Sequence, residues 1–253
     1  MTNLLDYPLL VFVATFVVLW VTTWIGTLLR KRWHLPAEDM RDDFGVTLGA
    51  TLTLLGLIIG FSFSMATTRY DQRKIYEEEE ANAIGTEYVR VDLLSPDAAG
   101  QLRPLLVRYT DLRIGFYKAR ERADLAQVNA ETAALQNQLW RIVADAAKAG
   151  PTTSTMLATS GMNDVLNSQG YTQASWWNRI PVGAWTLMYA IATVSHLLLG
   201  YGAHRQRSFL SIVLPLLVAI SFLLISDIDS PRGGVIQVQP QNLLALASGF
   251  AGS

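Results

Sequence analysis

The groups in this sequence most able to do chemistry are four successive glutamates, Glu77, Glu78, Glu79 and Glu80, which follow Arg69, Arg73 and Lys74. Carboxylates at such density can trade protons, hold a metal or present a negative field. The first two roles need partners at defined spacing. His34, His196 and His204 show no metal-ligand spacing with carboxylates, and no HExxH, GxSxG, GxGxxG or phosphate-binding loop occurs. Cysteine is absent, which excludes thiolate chemistry and disulfides. No catalytic residue, metal or cofactor is therefore assigned, and an electrostatic role remains. Arg73 and Lys74 stand four residues before Glu77 and Glu78, a spacing that supports one continuous helix through the run. Four adjacent residues point to every side of a helix, so at least one glutamate faces the bundle or, in a ring of subunits, the central axis. The run Glu77–Glu80 forms either a solvated face with a few surface pairs or, in such a ring, an acidic vestibule that concentrates cations.

The elements that carry these charges follow from composition. The 253 residues are 51% apolar and 16% charged with a net charge of -1, too apolar for a typical soluble domain of this length. A near-neutral chain also argues against nucleic acid as a partner. Four apolar segments are long enough, at about 1.5 Å per residue, to cross a hydrocarbon core of about 30 Å: Pro8–Leu29, Phe44–Met65, Pro181–Tyr201 and Phe209–Ile225. The first has no basic stretch before it and no small-residue cleavage site after it, so it reads as a retained span. The last contains Pro215, which a spanning helix tolerates when neighbours satisfy the freed carbonyl. Between the second and third spans lies a polar region with helical periodicity. Ala81, Ile84, Tyr88 and Val91 follow the 3-4-3 spacing of a packed seam, Ser95-Pro96-Asp97 starts a new helix, and Gly150-Pro151 ends a long one over Asp124–Ala149. Trp176 and Trp177 precede the third span as interfacial aromatics. The organisation is two spans in 1–68, a soluble helical domain in 69–178, two spans in 179–226 and a C-terminal tail in 227–253.

The second span carries most information. At about 100° per residue, Gly45, Gly49, Gly56 and Gly60 fall within about 60° of one another and form a smooth stripe. Beside it, within about 80°, lie Thr53, Leu57, Phe61, Ser64 and Thr68, a strip polar at both ends and apolar in the middle. If copies of the helix pack by their glycines around an axis, this strip lines it, and Leu57 and Phe61 form an apolar constriction. The alternative is that the glycines pack the four helices of one subunit. His196, inside the third span, is either a gate or a neutral histidine bonded to its surroundings. Asp227 and Asp229, beside Pro231 and Gly233 after the fourth span, form either a local turn or a clasp on a neighbouring subunit.

Gly60-Phe61 followed by Thr68-Arg69-Tyr70, within the plan of two spans, helical domain and two spans, resembles the bestrophin ion channels. The segments "FSMA", "RYDQRK", "EEANAIGTEYVR" and "DIDSPRGG" look like an uncharacterised bacterial membrane family regarded as bestrophin-like. The resemblance implies an all-α integral membrane protein, a homo-oligomer (pentamer) with a permeant ion and membrane lipid as partners, and a helical domain on the cytoplasmic side of a bacterial inner membrane. It places the pore neck at Phe61, Leu57 and Thr53. Thr53 departs from the family's apolar neck, and no acidic calcium-binding cluster is evident after the last span. Charge bias leaves the orientation open: Arg30, Lys31, Arg32, Arg41, Arg205 and Arg207 on one side balance Arg69, Arg73, Lys74, Arg179 and Arg232 on the other. The competing class is a non-conducting receptor or scaffold with a helical sensory domain. An enzyme has no constellation to stand on.

Overall fold

The computed structural model describes residues 6–32, 39–202 and 210–251. The expected start of the fourth span at Phe209 and the loop residues His204, Arg205 and Arg207 lie outside the described residues, as do His34 and the side chain of Arg41. Every described element is helical: α1 (Pro8–Arg32), α2 (Asp39–Arg90) with a short 3-10 turn at Val91–Leu93, α3 (Pro96–Lys118), α4 (Arg122–Ala149), α5 (Thr153–Trp177), α6 (Val182–Gly202), α7 (Leu210–Asp229) and α8 (Gln241–Ala251). Four stretches are long and apolar enough to cross a membrane, in α1, α2, α6 and α7. The chain forms two compact units, Met1–Tyr70 with Arg179–Gln237, and Asp71–Asn178 with Val238–Ser253. The segment after the fourth span is thus divided between them.

In the first unit α1 packs against both α6 and α7. The α1–α6 crossing is tight because glycine meets glycine: a Cβ on Gly200 would lie 1.9 Å from the Thr23 carbonyl oxygen, and one on Gly26 would lie 2.3 Å from that of Leu197. Close backbone approach is what drives helix association in lipid, where no hydrophobic force acts between helices. Thr15 and Tyr189 add a hydroxyl hydrogen bond of 2.7 Å across the same pair. The core collects Val11, Leu19, Leu55, Ala66, Trp185, Met188, Val218 and Phe222. Exposed Leu9, Val13, Trp20 and Trp24 of α1 and Leu216, Leu217 and Leu224 of α7 are apolar, as surfaces in hydrocarbon must be.

In the second unit α3 packs on α4 and α8, and α4 on α5. Its helices start where short polar side chains satisfy orphan amides. Ser95 accepts from the Ala98 amide with Pro96 following it, and Thr152 and Thr155 form a reciprocal capping box. Ile84, Leu102, Leu106, Leu139, Ala158, Met162 and Val165 are fully buried. The α8 helix, which periodicity in the tail did not reveal, starts on a borrowed cap: Glu77 of α2 accepts the Leu243 amide at 3.0 Å and the Asn242 side-chain amide at 2.6 Å. A carboxylate at a helix N-terminus meets both its free amides and its positive end.

Candidate functional site

The 52 residues of α2 form one helix, apolar from Phe44 to Met65 and charged beyond Tyr70. Its apolar half has two faces. Leu55, Ser62 and Ala66 turn into the subunit core, each at most 5% exposed. The strip at roughly the opposite face is open: Leu57 is 53% and Phe61 62% exposed, and Thr53, Ser64 and Thr68 are exposed with them. Thr53 and Thr68 each donate their hydroxyl to the carbonyl four residues before, at 2.9 Å. Each hydroxyl oxygen keeps acceptor capacity for a water or a cation. The glycine stripe is likewise unoccupied within the subunit, since a Cβ on Gly45, Gly49, Gly56 or Gly60 would meet nothing within 4 Å. Close helix contact inside the subunit belongs to Gly26 and Gly200.

Beyond Tyr70, α2 pairs with α5 in antiparallel register through Arg73 and Ser175, Tyr76 and Tyr171, Glu80 and Thr172, and Glu87 and Gly161. The four glutamates separate by direction. Glu77 and Glu80 are buried, while Glu78 and Glu79 are exposed. Glu80 forms an ion pair with Arg113 of α3, both side chains fully buried, and accepts from the Thr172 hydroxyl at 3.0 Å. The Arg113 guanidinium also lies over the Phe116 ring at 4.5 Å. Burial, then the Glu80 charge, pushes the Tyr109 and Tyr117 hydroxyls above the ordinary phenol value, so both stay protonated. Burial works against the Arg113 charge, but the Glu80 carboxylate more than offsets it and the guanidinium stays charged. Sequence reasoning missed this pair, because Arg113 carries no local signal of its partner. Glu77 and Glu80 lie three apart, and Ile84 four further on, so they share the seam that the apolar residues marked. Tyr88, expected in that seam, sits at its edge against Phe250 of α8, ring centroids 4.2 Å apart.

His196 is buried and donates through Nδ1 to the Ala192 carbonyl at 2.7 Å. Asp227 and Asp229, expected after the fourth span, lie in the last turn of α7, and they too are committed within their own unit. Asp227 accepts the amides of Val235 and Ile236, both at 2.8 Å, folding the chain back on itself. Asp229 accepts the Ile180 amide at 3.0 Å and Arg179 Nε at 3.3 Å, and Arg179 reaches on to Asp6. Gly233 is required by proximity, since a Cβ there would lie 1.9 Å from the Asp6 carbonyl oxygen. The starts of α1 and α6 and the end of α7 are tied together by this network. Among the described residues no group of three or more His, Asp or Glu side chains could hold a metal.

The sequence matches a known family pattern over most of its length. The model of the Bestrophin-like domain matches residues 12–243. The chain belongs to the Bestrophin-like family. No curated protein matches it in sequence. Among solved structures, a mutant form of a bacterial bestrophin homolog from Klebsiella pneumoniae superposes with a TM-score of 0.66 at 12% identity, over 95% of this chain and 98% of that chain. The same homolog solved by zinc phasing gives 0.63 at 13% identity, over 93% and 98%. Another mutant form gives 0.65 at 14% identity, over 94% and 93%. What this Bestrophin-like chain shares with them, at these identities, is the fold.

Proposed function

We infer that this Bestrophin-like protein is one subunit of a homo-oligomeric ion channel, pentameric as the family resemblance implies, with α2 lining an axial pore. The observation that carries the reading is the pair of open faces on α2. In a monomer, glycines that touch nothing and a strip running Thr-Leu-Phe-Ser-Thr have no purpose; packed around an axis, both acquire one. The glycines let neighbouring subunits approach, and the strip then faces the axis. Leu57 and Phe61 form the neck with Thr53 at one end, and Ser64 and Thr68 offer oxygens beyond the constriction. An ion entering the neck loses water without gaining ligands, so these apolar rings set the barrier. Past the membrane, Glu78 and Glu79 supply the negative potential of the vestibule, because Glu77 and Glu80 are turned inward. Asp229 and Gly233, with Arg179 and Asp6, hold the ends of α1, α6 and α7 and thereby the scaffold behind the neck, while Asp227 folds the turn containing Pro231 back on itself. The helical domain is on the cytoplasmic side of a bacterial inner membrane in this reading.

The test is particle symmetry together with flux. Purified protein in detergent, averaged by electron microscopy, should give a five-fold ring, and the same preparation in liposomes should pass monovalent ions. Monomers or dimers that pass nothing would sink the channel and leave a receptor or scaffold.

A further inference from the structure

The α2–α5 seam contains one polar group that its surroundings do not answer. Glu87 is 0% exposed, and both of its carboxylate oxygens lack a hydrogen-bond partner. One of them lies where a Cβ on Gly161 would be, 2.0 Å from it, and Arg90 Nη1 is 2.7 Å from the same point. The absent side chain of Gly161 is therefore the space that Glu87 and Arg90 fill. The charged groups facing Glu87 are Arg90 on its own helix and Asp164 on α5, which are 4.0 Å from each other, with Asp164 61% exposed. Two turns away along α2, Glu80 is already paired with Arg113. The nearby cation is thus shared with a competing carboxylate.

We propose that Glu87 is a proton-operated latch: protonated, its carboxyl packs on the Gly161 backbone and holds α5 against α2; ionised, it needs water or a full share of Arg90, and the contact opens. Burial is the main cause that raises this carboxyl to about 8, helped by the Asp164 charge and opposed by that of Arg90. The latch therefore works across the neutral range. The direction of the linkage follows. From about pH 4.5 to about pH 8 the folded protein keeps a proton that the unfolded chain has released, so stability falls as pH rises through that window and stops falling above it. The inference concerns the helical domain alone and holds whether or not the protein conducts.

The test uses the full-length protein, whose lack of cysteine makes one introduced thiol specific. Ala158→Cys, on α5 one turn from Gly161 and 0% exposed, is labelled with a maleimide from about pH 6 to about pH 9.5. The same change in a Glu87→Gln background, where the amide mimics the protonated acid, cancels the titration of the thiol itself. A group titrating at about 8 goes from about one tenth to about nine tenths ionised between pH 7 and pH 9. The rate ratio between the two backgrounds should accordingly rise about ninefold over that interval. Infrared spectra should show the carbonyl stretch of a protonated carboxyl disappearing over the same range, and not in Glu87→Gln. Should Glu87→Gln fail to fold, Asp164→Asn replaces it: removing that charge and freeing Arg90 should move the wild-type midpoint to lower pH. A flat ratio, a carboxyl band already absent at pH 6, a band that titrates in Glu87→Gln, or a midpoint unmoved by Asp164→Asn would each overturn the latch.

Discussion

Truncating Leu57 and Phe61 together to alanine separates the neck from the rest of the helix. Their positions along α2 are about 6 Å apart, one turn, so in the proposed pore the pair removes two successive apolar rings. The cost to the subunit is small because both side chains are mostly open, at 53% and 62% exposed. A fully buried leucine or phenylalanine loses about 2–5 kcal/mol on truncation, and scaling by the buried fraction leaves roughly 1–2 kcal/mol at each site. The effect on permeation is larger. If wetting the neck takes only ~2 kcal/mol off the barrier to a dehydrated ion, flux rises about thirtyfold, since each ~1.4 kcal/mol is a factor of ten. Leu55→Ala with Ile59→Ala is the matched control. Leu55 is 2% exposed and Ile59 packs against the same core, so this pair should destabilise the subunit more than the neck pair does. Flux from liposomes and thermal unfolding are then measured on all three proteins. The neck pair should leak and melt near wild type; the control should melt early and leak little. Equal leakage from both, or no change in an inserted and assembled neck variant, would refute the axial assignment.

Gly56→Leu or Gly60→Leu should break up the oligomer, seen as a fall in mass by light scattering, while leaving the fold of the subunit intact, because neither position contacts anything within it. An unchanged mass removes the glycines from the interface. Glu80→Ala should destabilise the helical domain by about 3–5 kcal/mol by leaving Arg113 buried without its counter-charge, whereas Glu80→Leu with Arg113→Met should recover most of that loss in thermal melts. A double variant no more stable than the single would mean that the loss does not come from the unpaired Arg113 charge. A cysteine at exposed Gln138 should resist a membrane-impermeant maleimide in intact cells and react after lysis; ready labelling of intact cells would put the helical domain outside.

The four spans, the helical domain and the starts at Ser95 and Pro96 were legible because each has a local cause: unbroken apolar length, helical period, a cap. The first unit's close crossing was not. Gly26 and Gly200 lie far apart in sequence, and nothing local distinguishes them from the glycines of α2, although the former pair is filled by backbone and the latter stripe faces open space. Nor was α8 legible, since its first turn is capped by Glu77 rather than by a residue beside it. Caps supplied from a distant helix leave no mark at the helix they start.

The glutamate run shows why apolar periodicity reads one half of α2 and not the other. Within the membrane the exterior is as apolar as the core, so the exposed Leu57 and Phe61 look no different in the sequence from buried Leu55. Beyond it Ala81 and Ile84 mark the inner seam, but Arg73, Glu77, Glu80 and Glu87 are buried beside them while Lys74, Glu78 and Glu79 are exposed, so charge does not tell the two faces apart. Such burial is stable only if the charges close. Glu80 closes with Arg113, and Glu77 with the amides that begin α8, while Arg73 donates to the Ser175 carbonyl at 3.5 Å. Glu87 is left as the acid that must be neutral for the seam to hold, because burying an unanswered carboxylate costs far more than burying the protonated acid. A helix whose outer face is free to line a pore thus has an inner face whose packing depends on a single proton.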